Sequence, residues 1–205
     1  KILHCDIYDM MYSGISVGWS WGFAGSVAQR NEIAFNRIWD LGKGIMSEMG
    51  GVYTRGTSFG TIVHDNVVHD VRSYSYGGWA LYCDEGSEGI VLERNLCWNT
   101  TDGSFMQHYG VGNIVRNNIF AWNRKVGAIR SRREEVDGVP CGFHFLNNIV
   151  LVREGPLACD KLLKKPGIWR DNVWYDVRGK AAAVFDLGTW EQCVASGREE
   201  GGVLD

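Results

Sequence analysis

Three segments of the chain bring acids, an amide, a histidine and aromatic rings to matching positions. They are 52–56 (VYTRG), 81–85 (LYCDE) and 104–108 (SFMQH), which align without gaps at offsets of 29 and 23 residues. Aligned in this way, Tyr53, Tyr82 and Phe105 form an aromatic column, and Arg55, Asp84 and Gln107 form a polar one. Gly56, Glu85 and His108 close the three segments. Side chains alternate across a strand. With Thr54, Cys83 and Met106 pointing inward, the aromatic and polar columns share the outer face. Glu48 enters the same strand from the preceding loop, residues 44–51. Trp19 and Trp21 arrive one repeat earlier, and Arg130, Arg132 and Arg133 one repeat later. This set suits a carbohydrate. Rings stack on the apolar faces of sugars, while acids, amides and guanidinium groups bind hydroxyls or carboxylates. Two of the three carboxyl groups could divide general acid and base work between them.

Each member also has a plainer reading. The rings alone would be a stacked ladder covering a sheet. Arg55 beside Asp84 would be a salt bridge, and His108 a hydrogen-bonded turn residue. The run at 131–137 (SRREEVD) reads as a solvated loop, and His4, His64, His69 and His144 as structural residues. Convergence of the set, not any one member, points to chemistry.

The elements that must position these residues follow from an internal repeat. A polar pair, usually ending in Asn, precedes a β-branched or aliphatic residue at 7, 38, 67, 96, 119, 149 and 173, at intervals of 31, 29, 29, 23, 30 and 24 residues. The intervals vary too much for helical repeats of fixed length. Each contains short β-type runs separated by Gly or Asn; 89–98 (GIVLERNLCW) is the clearest strand–turn–strand. Asn tolerates the left-handed backbone of a sharp turn. Stacked Asn side chains can also hydrogen-bond the layers above and below. The expectation is an all-β chain, a right-handed parallel β-helix of about seven coils forming a single domain over 1–205. At ~4.8 Å per layer it would be roughly 30–35 Å long. An antiparallel β-sandwich fits the local turn spacing but does not produce one Asn recurring near every 30 residues. Residues 187–200 (LGTWEQCVASGREE) place Trp190, Val194 and Ala195 at helical spacing, which predicts a short C-terminal helix.

Composition agrees and excludes other classes. The 205 residues are 45% hydrophobic and 22% charged, which excludes global disorder. No apolar run approaches the roughly 18 residues of a membrane span. A net charge of −3 argues against a nucleic-acid partner. With 27 Gly, only 3 Pro and 9 Trp, the chain has the means for many tight turns and exposed rings. Six scattered cysteines show no zinc spacing and read as thiols rather than a disulfide framework. The chain starts inside a patterned segment and ends without a closing element, so a fragment of a longer protein is expected.

Residues 48–54 (EMGGVYT), 77–87 (GGWALYCDEGS) and 107–110 (QHYG) also resemble segments of secreted right-handed β-helix carbohydrate-active proteins. The resemblance spans roughly 14–205 and points most closely to glycoside hydrolase family 141, the α-L-fucosidase and xylanase group. The Asn turns are common to all β-helix proteins, pectate lyases included; the segments around Asp84-Glu85-Gly86 and Gln107-His108-Tyr109 are more specific. The resemblance implies a catalytic pair of acids at Glu48 and Asp84, with Glu85 in reserve; the family pattern has Asp where this chain has Glu48. The converging residues themselves make Arg55, Gln107, His108 and Arg130 the sugar-positioning groups and Trp19, Tyr53, Tyr82 and Phe105 the stacking rings. The expectation is a monomer acting on a polysaccharide or oligosaccharide, with no metal or other cofactor and no membrane partner, and the resemblance implies a secreted, periplasmic or cell-surface location. The rival enzyme is a polysaccharide lyase. It would use Arg130, Lys125 or Tyr109 as base and Ca²⁺ held by Asp84 and Glu85. The non-catalytic rival is a glycan-binding scaffold.

Overall fold

A computed structural model describes residues 1–124, 127–159, 161–185 and 188–205. The chain is all-β. It visits three sheets in rotation, and each strand pairs in parallel with the strand of the same sheet one repeat later. The first sheet has seven strands, from Ile2–Leu3 to Trp169–Arg170; the second has eight, from Asp6–Met10 to Val203–Leu204. The third has six, from Ile15–Val17 to Ala158–Cys159, and it carries the residues singled out above. Parallel pairing throughout the three large sheets excludes the antiparallel sandwich. The antiparallel pair among the described residues is the small hairpin of Glu135–Val136 and Val139–Pro140.

The core is built around one inward column per sheet. In the first sheet Ile33, Val63, Leu92, Val115, Phe145 and Trp169 lie in register, and all are buried. The second sheet contributes Ile38, Val68, Cys97, Phe120, Val150 and Trp174. The third contributes Ile15, Val52, Leu81, Phe105, Ile129 and Ala158. Each large side chain so buried stabilises the fold by roughly 1.5–3 kcal/mol.

The Asn repeat works differently from the expectation. The residue in the left-handed region is the one before each repeated Asn: Phe35, Asp65, Arg94, Asn117, Asn147 and Asp171, with φ between 52° and 58°. The following Asn acts through its side chain. Asn36, Asn66, Asn95, Asn118, Asn148 and Asn172 form a buried ladder, in which each Oδ1 accepts from the backbone of the preceding layer. Each Nδ2 donates onward, as Asn95 does to Asn118 Oδ1 at 3.0 Å.

The ladder ends on an acid that the sequence reading did not single out. Asn172 Nδ2 donates to both carboxyl oxygens of Glu199 at 3.1 Å, and Glu199 is 2% exposed. Burial pushes the Glu199 carboxyl up to about 7, against the pull of its hydrogen bonds with Asn172. The native state therefore holds a proton there that the unfolded chain releases near pH 4.5. Its contribution is fully present below that pH and is lost as pH rises through about 7. Glu199→Gln should leave stability at pH 5 nearly unchanged and raise it at pH 8 by about 3 kcal/mol. Urea midpoints at the two pH values check this.

The C-terminal helix is shorter than expected, Trp190–Ala195, and is closed by a capping box between Thr189 and Gln192. Its buried residue is Cys193, while Val194 is exposed. Leu187, the first residue of the expected helix, lies outside the described residues, as does Lys125. No disulfide joins the described cysteines, and among the described residues no helix is long and apolar enough to cross a membrane.

Candidate active site

The third sheet pairs Gly50–Thr54 with Trp79–Cys83 at the expected offset of 29, with Tyr53 against Tyr82. The next pairing differs. Phe105–Gln107 sits one residue out of the expected register, so Phe105 pairs with Leu81, Met106 with Tyr82 and Gln107 with Cys83. The offset of 23 holds in the first and second sheets, for Val91 against Ile114 and Leu96 against Ile119. The third sheet keeps 24 because the passage from Phe105 to Ile114 is one residue shorter than that from Leu81 to Val91.

A one-residue slip exchanges the faces of a strand. Phe105 therefore leaves the stacking column and lies fully buried in the core against Phe143, with ring centroids 4.9 Å apart. Gln107 is also fully buried. It donates to the carbonyls of Gly110 and Gly142 and accepts from Asn113. Met106 faces outward instead and packs with Trp79 and Tyr82. The slip moves His108 up beside Asp84, and the polar column becomes Arg55, Asp84, His108 and Arg132; the N–H groups of Asp84, His108 and Arg132 donate to the carbonyls of Thr54, Cys83 and Gln107.

Asp84 is the hub of the site. Tyr53 and Tyr82 stack with centroids 4.8 Å apart. Tyr53 OH donates to Asp84 Oδ2 at 2.5 Å, and Tyr82 OH to Oδ1 at 2.8 Å. His108 Nδ1 lies 3.0 Å from the same Oδ1. Asp84 is only 3% exposed, and burial alone would raise its carboxyl. The hydrogen bonds of His108, Tyr53, Tyr82 and the Glu85 backbone outweigh burial and hold it below the ordinary carboxylate range. Both tyrosine hydroxyls are pushed up, first by burial and then by the Asp84 charge, so they remain donors. An ionised Asp84 only accepts, so Nδ1 of His108 carries a proton and Nε2 is the ring nitrogen left for chemistry.

His108 borders a cavity of about 270 Å³ together with Glu48, Tyr76, Trp79, Tyr82, Met106 and Arg132. Glu48 comes from the loop ahead of Gly50–Thr54 and is held at three points. Its N–H donates to the Tyr76 carbonyl at 3.1 Å, and its carbonyl accepts from Tyr12 OH at 2.7 Å. Tyr76 OH donates to Oε2 at 2.8 Å, the main reason that the Tyr76 hydroxyl is pushed up. Asp84 itself lies behind His108 and Tyr82 and does not border the cavity.

The other expected residues are placed as follows. Glu85 Oε1 is 3.6 Å from His108 Nδ1, and Oε2 accepts from Tyr109 OH at 3.2 Å; Glu85 does not border the cavity. Arg130 is tied by Nη1 to Asp102 at 3.2 Å. Trp19 is 76% exposed, and Trp21 is the indole that covers Arg55, with the guanidinium carbon 4.1 Å from the ring centroid. The 18–22 loop lies tightly on the strand ends: a Cβ at Gly18 (φ +79°) would sit 2.1 Å from the Arg55 carbonyl oxygen. The lyase bases fare differently. Burial and the Glu85 charge push the Tyr109 hydroxyl up to about 12, and Arg130 is paired. Both oxygens of Asp84, one proposed Ca²⁺ ligand, already accept from side chains. Among the described residues no group of three or more His, Cys, Asp or Glu is placed to hold a metal ion.

Sequence reasoning missed Tyr12, Tyr76 and Trp79. Trp79 was legible in principle, since it opens the same strand as Tyr82. Tyr76 lies in the longer 72–78 connection, where no periodicity applies. Compared with family models, curated proteins and solved structures, the chain matches none.

Proposed function

We propose that the chain is a glycoside hydrolase built on a right-handed parallel β-helix. The three parallel sheets, visited in rotation, are the faces of the helix, and the Asn ladder runs along one corner. One observation carries the functional reading. Glu48 and His108 border the same cavity, which is also lined by three aromatic side chains, Tyr76, Trp79 and Tyr82, and His108 is backed by a buried ionised carboxylate. An aromatic-lined cleft with two proton-transfer groups is what breaking a glycosidic bond requires.

The roles follow from the partners. Donation from Tyr76 fixes the Glu48 carboxyl group at the edge of the cavity, where it takes a proton from water. Asp84 holds the His108 ring through Nδ1, which leaves Nε2 facing the departing sugar oxygen as its proton donor. Water adds to the anomeric carbon as the bond to that oxygen breaks. One proton goes to Glu48 and one leaves His108, and solvent exchange resets both. Asp84 is then a positioning residue acting through His108. The protein would meet its polysaccharide outside the cytoplasm, in keeping with the resemblance of the sequence.

Arg132 in the same cavity favours a second reading. A guanidinium beside an imidazole could neutralise a uronate carboxylate while His108 removes the neighbouring proton, giving elimination rather than hydrolysis.

Reducing-end release from a panel of polysaccharides and aryl glycosides tests the proposal. The protein should release sugar, and folded Glu48→Gln should be about 10²–10⁴-fold slower. Full activity in Glu48→Gln would remove Glu48 from the mechanism. Product carrying an unsaturated uronate would favour elimination.

A further inference from the structure

A second cavity, of about 220 Å³, is bordered by Tyr12, Ser16, Gly18, Tyr53 and Arg55. Tyr12 links it to the first cavity through its bond to the Glu48 carbonyl. Arg55 combines partial burial with a buried Nε that has no partner. Arg94, Arg116, Arg130 and Arg178 each bind a carboxylate. Among the described residues no hydrogen bond or ion pair holds the Arg55 guanidinium, and its Nε is buried without a partner. Asp84, its neighbour in register, is saturated by Tyr53, Tyr82 and His108. Trp21 covers one face of the guanidinium at 4.1 Å. A half-buried guanidinium whose donors lack an acceptor is unfavourable, and its fork matches the planar or tetrahedral oxygens of an anion.

We infer that this second cavity is a subsite for an anionic sugar, one bearing a carboxylate or a sulfate, on the glycan cleaved at Glu48 and His108. The inference rests on the reading of the first cavity as the glycan-cleaving site. It narrows the substrate to an acidic polysaccharide. Arg55 and His108 are two layers apart in the sheet, about 10 Å. The anionic group therefore lies within a sugar or two of the broken bond.

The test uses Glu48→Gln protein, so that the probes stay intact, and follows binding by tryptophan fluorescence and calorimetry. The probes are trigalacturonate, its neutral counterpart galactotriose, and sulfated galactotriose. At least one anionic probe should bind about tenfold or more tightly than galactotriose. The preferred probe identifies carboxylate or sulfate as the group recognised. Adding Arg55→Gln should abolish the preference, while Arg55→Lys should retain part of it by keeping the charge without the fork. Equal binding of all three probes, binding of none, or a preference that survives Arg55→Gln in folded protein would overturn the subsite. Anion preference without cleavage of any glycan by the unsubstituted protein would sink the hydrolase reading and leave the subsite standing. Cleavage without preference would do the reverse.

Discussion

Asp84→Asn should slow glycan cleavage by about 10²–10⁴-fold with little change in KM. The amide keeps the shape of the carboxylate but loses the charge beside His108 Nδ1. It also presents an NH₂ group to partners that donate. The same change should lower stability by about 2–4 kcal/mol, because three donors around a buried position lose their charged acceptor. A stability loss alone would not separate positioning from scaffolding, but a double-mutant cycle does. If Asp84 acts through His108, then Asp84→Asn adds no further loss of rate to His108→Ala. Additive losses, measured on folded protein at saturating substrate, would assign Asp84 a merely structural part.

Asn95→Ala should be among the most damaging substitutions outside the site. Asn95 is 2% exposed and lies in the middle of the corner ladder. Its Oδ1 accepts from the Asn66 backbone and side chain at 3.1 and 3.0 Å, and its Nδ2 donates to the Val63 carbonyl at 3.0 Å. Alanine leaves the Asn66 N–H buried without its acceptor and takes a partner from Asn66 Nδ2 and from the Val63 and Asn118 oxygens, each buried loss costing about 1–3 kcal/mol. The expected loss is about 3–6 kcal/mol, comparable to the whole stability of a typical domain at about 5–15 kcal/mol. Asn147 is the control. It is exposed, with φ +54°, and Asn147→Gly keeps the backbone conformation available. It should shift stability by about 1 kcal/mol or less. Denaturation midpoints compare the pair. Similar midpoints would mean that the ladder contributes little.

The period of the repeat was legible because the Asn side chains must stack, and stacking fixes which residues recur. That same requirement revealed parallel strands and the pairing of Tyr53 with Tyr82. The turn mechanism was less legible. The left-handed position is filled by Phe35, Asp65 or Arg94 as readily as by Asn, so residue type alone does not mark it. The register beyond Tyr82 was hidden for a related reason. Each sheet keeps its own offset where connections differ by a residue, so the 23-residue step of the Asn corner did not transfer to Phe105–Gln107. That single residue accounts for Phe105 and Gln107 lying in the interior and for His108 meeting Asp84. The Asp102 partner of Arg130 was not legible, because Asp102 sits in a connection outside any strand. The convergence of Glu48, Asp84, His108 and Arg55 on the third sheet was anticipated from residue type. The division of labour among them was not, because it depends on burial and hydrogen-bond partners.

The most direct measurement of the central claim is the mass of the oligosaccharides made when the protein cleaves a glycan in ¹⁸O-labelled water. Hydrolysis predicts that each cleavage adds one water across the broken bond, with the label in the product, and that Glu48→Gln and His108→Ala each suppress it. Fragments that sum to the mass of the starting chain with no added water, or no cleavage of any glycan by the folded protein, would contradict it.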